Sequence, residues 1–338
     1  MKLCYFDDYR LGVIKGDNVV DITDAVKDIP HLHNRDLIIG LIDKWESYKA
    51  KVEKAVADGK GVPLKGVRLR PPVPKPGNIV CMAVNYMEDG TLKEKPQINA
   101  FHKAATAVIG DGDTMVLPDV PAGIFEGEAE VALVIGKRAT RVSQADAMKH
   151  IFGYTCFIDG SARGLPPPGN VFFQMKSRDT FAPIGPYIVT ADEIRDPQKL
   201  QIRLWNNGQL MQNFNTDDMG HKIPRCIEWL TSIHTLEPGD IIATGTNHRG
   251  LNSFMDGDKI ELTHSMQRGI ECAMSLVLNF CITCPLFVSV MLRFCGSAIS
   301  SAVTMQGPIG AKVSRDFIWK NTLPAGGRPR AEPSMKQV

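Results

Sequence analysis

Apolar and polar positions change rhythm several times along this chain, and each rhythm predicts a type of element. Short apolar runs at 3–6, 10–15 and 18–22, separated by Asp7, Asp8, Gly16 and Asp17, predict three strands. Ile38, Leu41, Trp45, Tyr48, Val52 and Val56 then recur three or four apart, which predicts one or two helices between 37 and 58. Gly40 falls inside that pattern and weakens its first turn. Pro71, Pro72, Pro74, Pro76 and Gly77 punctuate the chain next and set a domain boundary at 70–77. Beyond them, strand-like runs recur at 78–84, 107–109, 129–135, 153–158, 184–189, 200–205 and 241–244. Some are apolar on both faces, as buried strands are. Helical spacing returns only at 143–150 and 223–232, and Asn207-Gly208 marks a hairpin turn. Strands dominate and do not alternate regularly with helices. That predicts an α+β fold, predominantly β, with a small N-terminal α/β domain at 1–70 and a larger domain at 71–270.

The remaining 271–338 reads differently. Residues 272–292 carry no charge between Glu271 and Arg293, a length that spans a bilayer, but Asn279, Pro285 and Ser289 interrupt it. A membrane anchor there is the lesser expectation. After Gly307 the chain is basic and rich in proline and glycine, a composition that predicts disorder. Cys281 and Cys284 form a lone C-x-x-C pair with no second pair at zinc-ribbon spacing, a weak metal signal.

Composition alters this picture little. Of 338 residues, 43% are hydrophobic and 22% charged, ordinary values for a globular protein. The 39 basic and 37 acidic side chains nearly cancel, so no global field draws nucleic acid or an anionic membrane. The opening Met1-Lys2-Leu3-Cys4-Tyr5-Phe6 is no signal peptide. Scattered cysteines, Cys4, Cys81, Cys156 and Cys226 first, read as reduced thiols in a cytoplasmic protein.

Candidate chemistry gathers on the strand at 125–136. Side chains alternate faces, so Glu126, Glu128 and Glu130 share one. Three carboxylates at the mouth of a buried strand repel one another unless a cation or a shared proton relieves them. A hard divalent metal, which prefers oxygen ligands, is the simplest relief. A solvated strand end accounts for this stretch alone equally well. The buried strand at 153–158 ends in Asp159, which joins Glu128 and Glu130 around one ion if the two strands are neighbours. Alone, Asp159 reads as a turn or capping residue. Lys176 follows an apolar run and suits either neutralising the carboxylates or holding a substrate oxygen, against the commoner surface lysine. The turn Thr244-Gly245-Thr246 offers donors to an anion. Asn85-Tyr86 opens a polar loop to about Gln97 with the size and composition of a lid.

These pieces, in order, resemble the fumarylacetoacetate hydrolase family. The matching residues are Val84-Asn85-Tyr86, Phe101 with Lys103, Glu128-Ala129-Glu130 with Val134-Ile135-Gly136, and Gly153-Tyr154 through Asp159, Ser161, Ala162 and Arg163. Lys176-Ser177 with Asp179-Thr180, Pro183 to Pro186, Leu236 to Asp240, Thr244-Gly245-Thr246 and Gly257-Asp258 continue the series. The resemblance covers about 78–262, and the first 70 residues resemble the small domain that many members carry. It implies a mixed β-roll, usually a homodimer, with Mg²⁺ or Mn²⁺ at Glu128, Glu130 and Asp159. Lys176 matches the family's active-site lysine, and Tyr86, Lys103, Arg163 and Thr246 are the implied substrate contacts. Members act on 2-oxo and 1,3-dicarbonyl acids. The activity implied first is metal-dependent hydrolysis of an acylpyruvate-like C–C bond. An isomerase or tautomerase, a decarboxylase, and a non-catalytic metal-binding member are the alternatives.

One departure stands out. Many members follow Asn-Tyr with a histidine and, three residues later, a glutamate that move the proton. Here Asp89 and Leu92 occupy those places. Glu88 or Asp89 is then the candidate base, although a carboxylate with an ordinary pKa of about 4 is a weak one at neutral pH. His102 and His248 are further candidates.

Overall fold

The computed structural model describes residues 1–167, 172–251, 253–266 and 270–280. The apolar runs form two sheets. The larger has twelve strands among the described residues. Its main path runs Val62–Pro63, Asn18–Asp21, Arg10–Lys15, Lys2–Phe6, Ala182–Thr190, Ile151–Arg163, Ile124–Ile135, Ile241–Ala243, Ile79–Ala83 and Asn99–Lys103. The smaller sheet orders Gln209–Asn215, Gln201–Asn206, Lys259–Met266, Ile270–Phe280 and Thr114–Leu117. This is the predominantly β architecture that the strand pattern predicts.

Two strands at the centre of the large sheet outgrow their apolar runs. Ile124–Ile135 spans 12 residues and Ile151–Arg163 spans 13, where apolarity alone marks 129–135 and 153–158. The extra length includes the polar stretches Glu126 to Glu128 and Asp159 to Ser161. It stays extended because the two strands are antiparallel partners in register from Ile124 opposite Arg163 onwards, and alternate residues exchange backbone hydrogen bonds across the pair. Both strands are also buried on both faces. Ala129, Val131, Leu133 and Ile135 enter one core cluster with Tyr154, Cys156 and Ile158. Ala132 and Val134 enter a second, with Phe157. The face that carries the glutamates is thus continuous with the second cluster.

The amino-terminal segment completes that cluster. The helical rhythm at 37–58 resolves into two helices, Leu37–Asp43 and Trp45–Asp58, that meet at Lys44. Leu37, Ile38, Leu41, Ile42 and Val52 pack with Leu3, Tyr5 and Val134. Gly40 earns its place by contact: a Cβ there would lie 2.4 Å from Ile29 Cγ2. Lys2–Phe6 pairs antiparallel with Ala182–Thr190, opposing Lys2 to Val189, so the first strand lies in the same sheet as the central pair.

The uncharged stretch at 272–292 divides. Its residues to 280 belong to the strand Ile270–Phe280, antiparallel to Lys259–Met266 and parallel to Thr114–Leu117. Met274, Leu276 and Leu278 alternate inward and are buried. For this strand the anchor reading is therefore corrected: sheet pairing, with the one-sided burial of Met274, Leu276 and Leu278, accounts for its apolar character. Residues 281–292, the Cys281 and Cys284 pair, and the tail after Gly307 lie outside the described residues. Among the described residues no helix is long and apolar enough to cross a membrane.

Candidate metal centre

Register builds the centre. Glu128 lies directly opposite Asp159, and Glu126 opposite Ser161, across the central strand pair. Opposed residues in an antiparallel pair share a face, as do residues two apart on one strand. Glu126, Glu128, Glu130, Asp159, Ser161 and Arg163 therefore line one face. Glu128, Glu130 and Asp159 are all buried, and one oxygen from each lies within 4.8 Å of the others. A glycine spaces the row: a Cβ on Gly127 would lie 2.2 Å from the Phe254 ring.

Three cations surround the triad. Lys176, last residue of the helix Phe172–Lys176, donates to Asp159 Oδ2 at 2.5 Å and lies 2.9 Å from Glu128 Oε1. Lys103 donates to Asp159 Oδ1 and, at 3.1 Å, to the Gly160 carbonyl. Arg163 spans Glu126 and Glu128. Both lysines are buried, whereas Arg163 keeps 32% of its side-chain exposure and marks the open side.

These charges separate the carboxylates. Burial pushes Glu128 up, but Lys176 and Arg163 outweigh it and hold the group at about 2. Burial also pushes Glu130 up. There the adjacent Asp159 and Glu128 charges add to it, and the one backbone donor, Gly245 N–H at 2.7 Å, does not compensate. Lys176 moves up despite its burial, because Asp159 and Glu128 favour its charged form. A desolvated all-oxygen triad with one carboxylate inadequately compensated fits a hard divalent cation. The cation would supply the positive charge that Glu130 lacks.

The other site residues read from the sequence fall in four places. Thr246 adjoins the triad but is fully buried, its hydroxyl donating to the Ala129 carbonyl at 2.8 Å and accepting from Gln212 Nε2 at 3.0 Å. Tyr86 is turned into the core, edge-on to Phe214 with ring centroids 5.1 Å apart. Glu88 and Asp89 lie against residues 247–249, where Glu88 meets His248 and Asp89 meets Asn247 and Arg249. His102 stands apart from this group, 5.5 Å from the His234 ring.

Several contributors escape sequence reasoning. Gln212 bonds the Ala129 amide at 3.1 Å, the Thr246 hydroxyl and the Asn247 carbonyl at 2.7 Å. It thereby ties the glutamate strand to the 244–247 turn, and nothing local in the sequence distinguishes it. The Gly245 N–H, one of the donors of that turn, is taken by a group of this chain, the Glu130 carboxyl at 2.7 Å. Asp240, within the Leu236–Asp240 match, is structural: its carboxylate accepts from Asn78 at 2.8 and 3.0 Å and from Glu237 N–H at 2.9 Å.

The fold and this face define a class: β-rich proteins built around a buried oxygen-donor centre suited to a divalent cation. Known proteins agree. A family model described as fumarylacetoacetate (FAA) hydrolase C-terminal matches residues 78–273. A maleylpyruvate hydrolase of Aquipseudomonas alcaligenes is 34% identical over 277 residues, 76% of this chain and 93% of that protein. Oxaloacetate tautomerase YisK of Bacillus subtilis is 38% identical over 214 residues, 59% of this chain and 70% of its own. The crystal structure of maleylpyruvate hydrolase from Sphingobium sp. SYK-6, in complex with manganese(II) and pyruvate, matches with a TM-score of 0.74 at 36% identity. That match covers 83% of this chain and 99% of that one. The chain belongs to the fumarylacetoacetate hydrolase family. Its relatives carry the names of hydrolases, tautomerases and isomerases.

Proposed function

We propose that this chain is a divalent-metal-dependent hydrolase that cleaves the C–C bond of an acylpyruvate-like 1,3-diketo acid. The observation that carries the reading is the buried Glu128, Glu130 and Asp159 triad, compressed to within 4.8 Å and ringed by Lys103, Lys176 and Arg163. When bound there, Mg²⁺ or Mn²⁺ would neutralise charge on adjacent substrate oxygens, the property an enolate leaving group needs. The hydrolase names and the manganese and pyruvate complex among the relatives support the same choice.

The chain's own residues have distinct tasks in this reading. Lys176 places an ammonium beside the triad, where it stabilises negative charge on a substrate oxygen. Arg163, at the open side, suits the planar carboxylate of a 2-oxo acid. Lys103 is engaged by Asp159 and Gly160 and fixes the ligand carboxylate. Burial of the triad excludes water and strengthens each of these interactions. A homodimer in the cytoplasm completes the proposal, supported by the family resemblance and by the buried free thiols Cys4, Cys81, Cys156 and Cys226.

A tautomerase is the second reading. Asp89 replaces the lid histidine, and one relative is an oxaloacetate tautomerase. Loss of enol absorbance from a panel of acylpyruvates and oxaloacetate, with and without Mg²⁺ or Mn²⁺, separates the two by product. Glu128→Ala should lower metal-dependent kcat/KM by about 10²–10³-fold or more. Undiminished turnover by that variant after metal removal would refute the assignment.

A further inference from the structure

Glu88 and His248 are 160 positions apart, and the fold joins them twice. The His248 backbone N–H donates to Glu88 Oε2 at 2.9 Å, and His248 Nδ1 lies 2.8 Å from Glu88 Oε1. A carboxylate facing Nδ1 sets the tautomer: Nδ1 carries the proton and Nε2 is the basic nitrogen. Nε2 makes no hydrogen bond among the described residues. The imidazole keeps 35% of its exposure, while Glu88 keeps 14%. The ring therefore stands towards solvent, with the carboxylate behind it.

The chain neighbours of this pair are bonded to one another as well. Asp89 N–H donates to Asp218 at 2.9 Å, and Asn247 Nδ2 bonds both Asp89 Oδ1 at 3.2 Å and Asp218 Oδ2 at 3.1 Å. Arg249 closes on Asp89 at 3.5 Å. Glu88 and Asp89 both take left-handed backbone angles, φ 53° and 55°, a conformation that costs a non-glycine residue about 1 kcal/mol or more. The loop accepts that strain on two consecutive residues and aims both carboxylates at 247–249. His248 also stands three residues beyond Gly245, whose backbone N–H donates to the triad's Glu130 at 2.7 Å.

We infer that His248 is the general acid–base of this site and that Glu88 is its positioning residue. The inference rests on the proposed metal-dependent chemistry. In hydrolysis, Nε2 takes a proton from the water whose oxygen bonds to the acyl carbon. As the C–C bond breaks, its electron pair passes to the pyruvate enolate. The imidazolium, balanced by Glu88, then returns its proton to the enolate carbon, giving a carboxylic acid and pyruvate. In the absence of an acyl group, the same nitrogen removes and returns a methyl proton of pyruvate.

That last step gives a test separable from cleavage. Exchange of pyruvate methyl protons for deuterium is followed by proton NMR in D₂O with Mg²⁺, for the whole chain and for His248→Asn, His248→Ala and Glu88→Gln. Magnesium affinity is measured by calorimetry on each. The expected result is unchanged magnesium affinity, exchange and acylpyruvate kcat both lower by about 10²–10⁴-fold in His248→Asn, and KM nearly unmoved. Added imidazole should restore part of the rate to His248→Ala, which repair of a purely structural contact would not do. Glu88→Gln should lower kcat about 10-fold without altering KM or magnesium affinity. Exchange and kcat in His248→Asn within threefold of the parent would overturn the assignment and leave the metal-dependent reading standing. So would loss of magnesium binding in both histidine variants. A parent protein that binds magnesium in no assay, or turns over no substrate, removes the metal-dependent reading and this inference together.

Discussion

Glu130 holds the least compensated charge of the triad, and its consequences are measurable at that one residue. Burial and the Asp159 and Glu128 charges raise its pKa above the ordinary 4.5. A carboxyl raised by folding stabilises the metal-free protein fully below its unfolded value. That contribution is lost as pH climbs through the folded value. Glu128, held at about 2, acts oppositely: its contribution is present above 4.5 and lost as pH falls towards 2. Between an ordinary glutamate pKa and neutrality, metal-free stability should therefore fall with rising pH. Glu130→Gln should flatten that fall in thermal melts. Magnesium should displace a proton from the parent, seen as a buffer-dependent heat, and should not bind the variant. Lys103 offers a second check. Lys103→Met removes one of two lysines from the fully buried Asp159 and should cost about 3–5 kcal/mol in urea unfolding. Added Mg²⁺ should recover part of that loss by restoring positive charge at the carboxylate.

At the scale of elements, the central strand pair does the positioning. Antiparallel register sets Asp159 against Glu128 without help from any loop. Its spacing depends on Gly127, which faces away from the carboxylates towards Phe254 and Ile158. In Gly127→Ala the new methyl meets a ring carbon at 2.2 Å and an Ile158 methyl at 2.9 Å. Neither neighbour is the free end of a flexible side chain, so the strand must bow. Loss of about 1–3 kcal/mol is expected by urea denaturation. Magnesium affinity should weaken in the same variant, because Glu126 and Glu128 flank the displaced residue. A stability loss with unchanged metal affinity would mean that the neighbours, not the strand, give way.

For the whole molecule, the cation is part of the fold's energetics as well as its chemistry. Any ligand that binds only the native state stabilises it by mass action, by about 2.7 kcal/mol at a hundredfold excess over Kd. Mg²⁺ or Mn²⁺ should therefore raise Tm with concentration, and a chelator should reverse the rise. Glu128→Ala/Glu130→Ala should show neither effect. An equal rise in that double variant would place the stabilising ion elsewhere.

The sequence by itself determined the strand-rich class, most strand and helix positions, and the carboxylates of the centre. Those features are local: alternation makes Glu126, Glu128 and Glu130 neighbours on one face, and a buried apolar run leading into Asp159 draws attention to that carboxylate, although the strand itself continues to Arg163. Tertiary structure alone decided the rest. The polar ends of the central strands pair because each has a partner, which apolarity does not reveal. The stretch at 272–280 is apolar because one side meets a core, not a bilayer. Gln212 became a brace, and the Gly245 amide a partner for Glu130, through contacts 83 and 115 residues apart in sequence. The Glu88 and His248 pair belongs to the same class. Each residue is a candidate base within its own stretch of chain, but only a fold that returns residue 248 to residue 88 pairs the two.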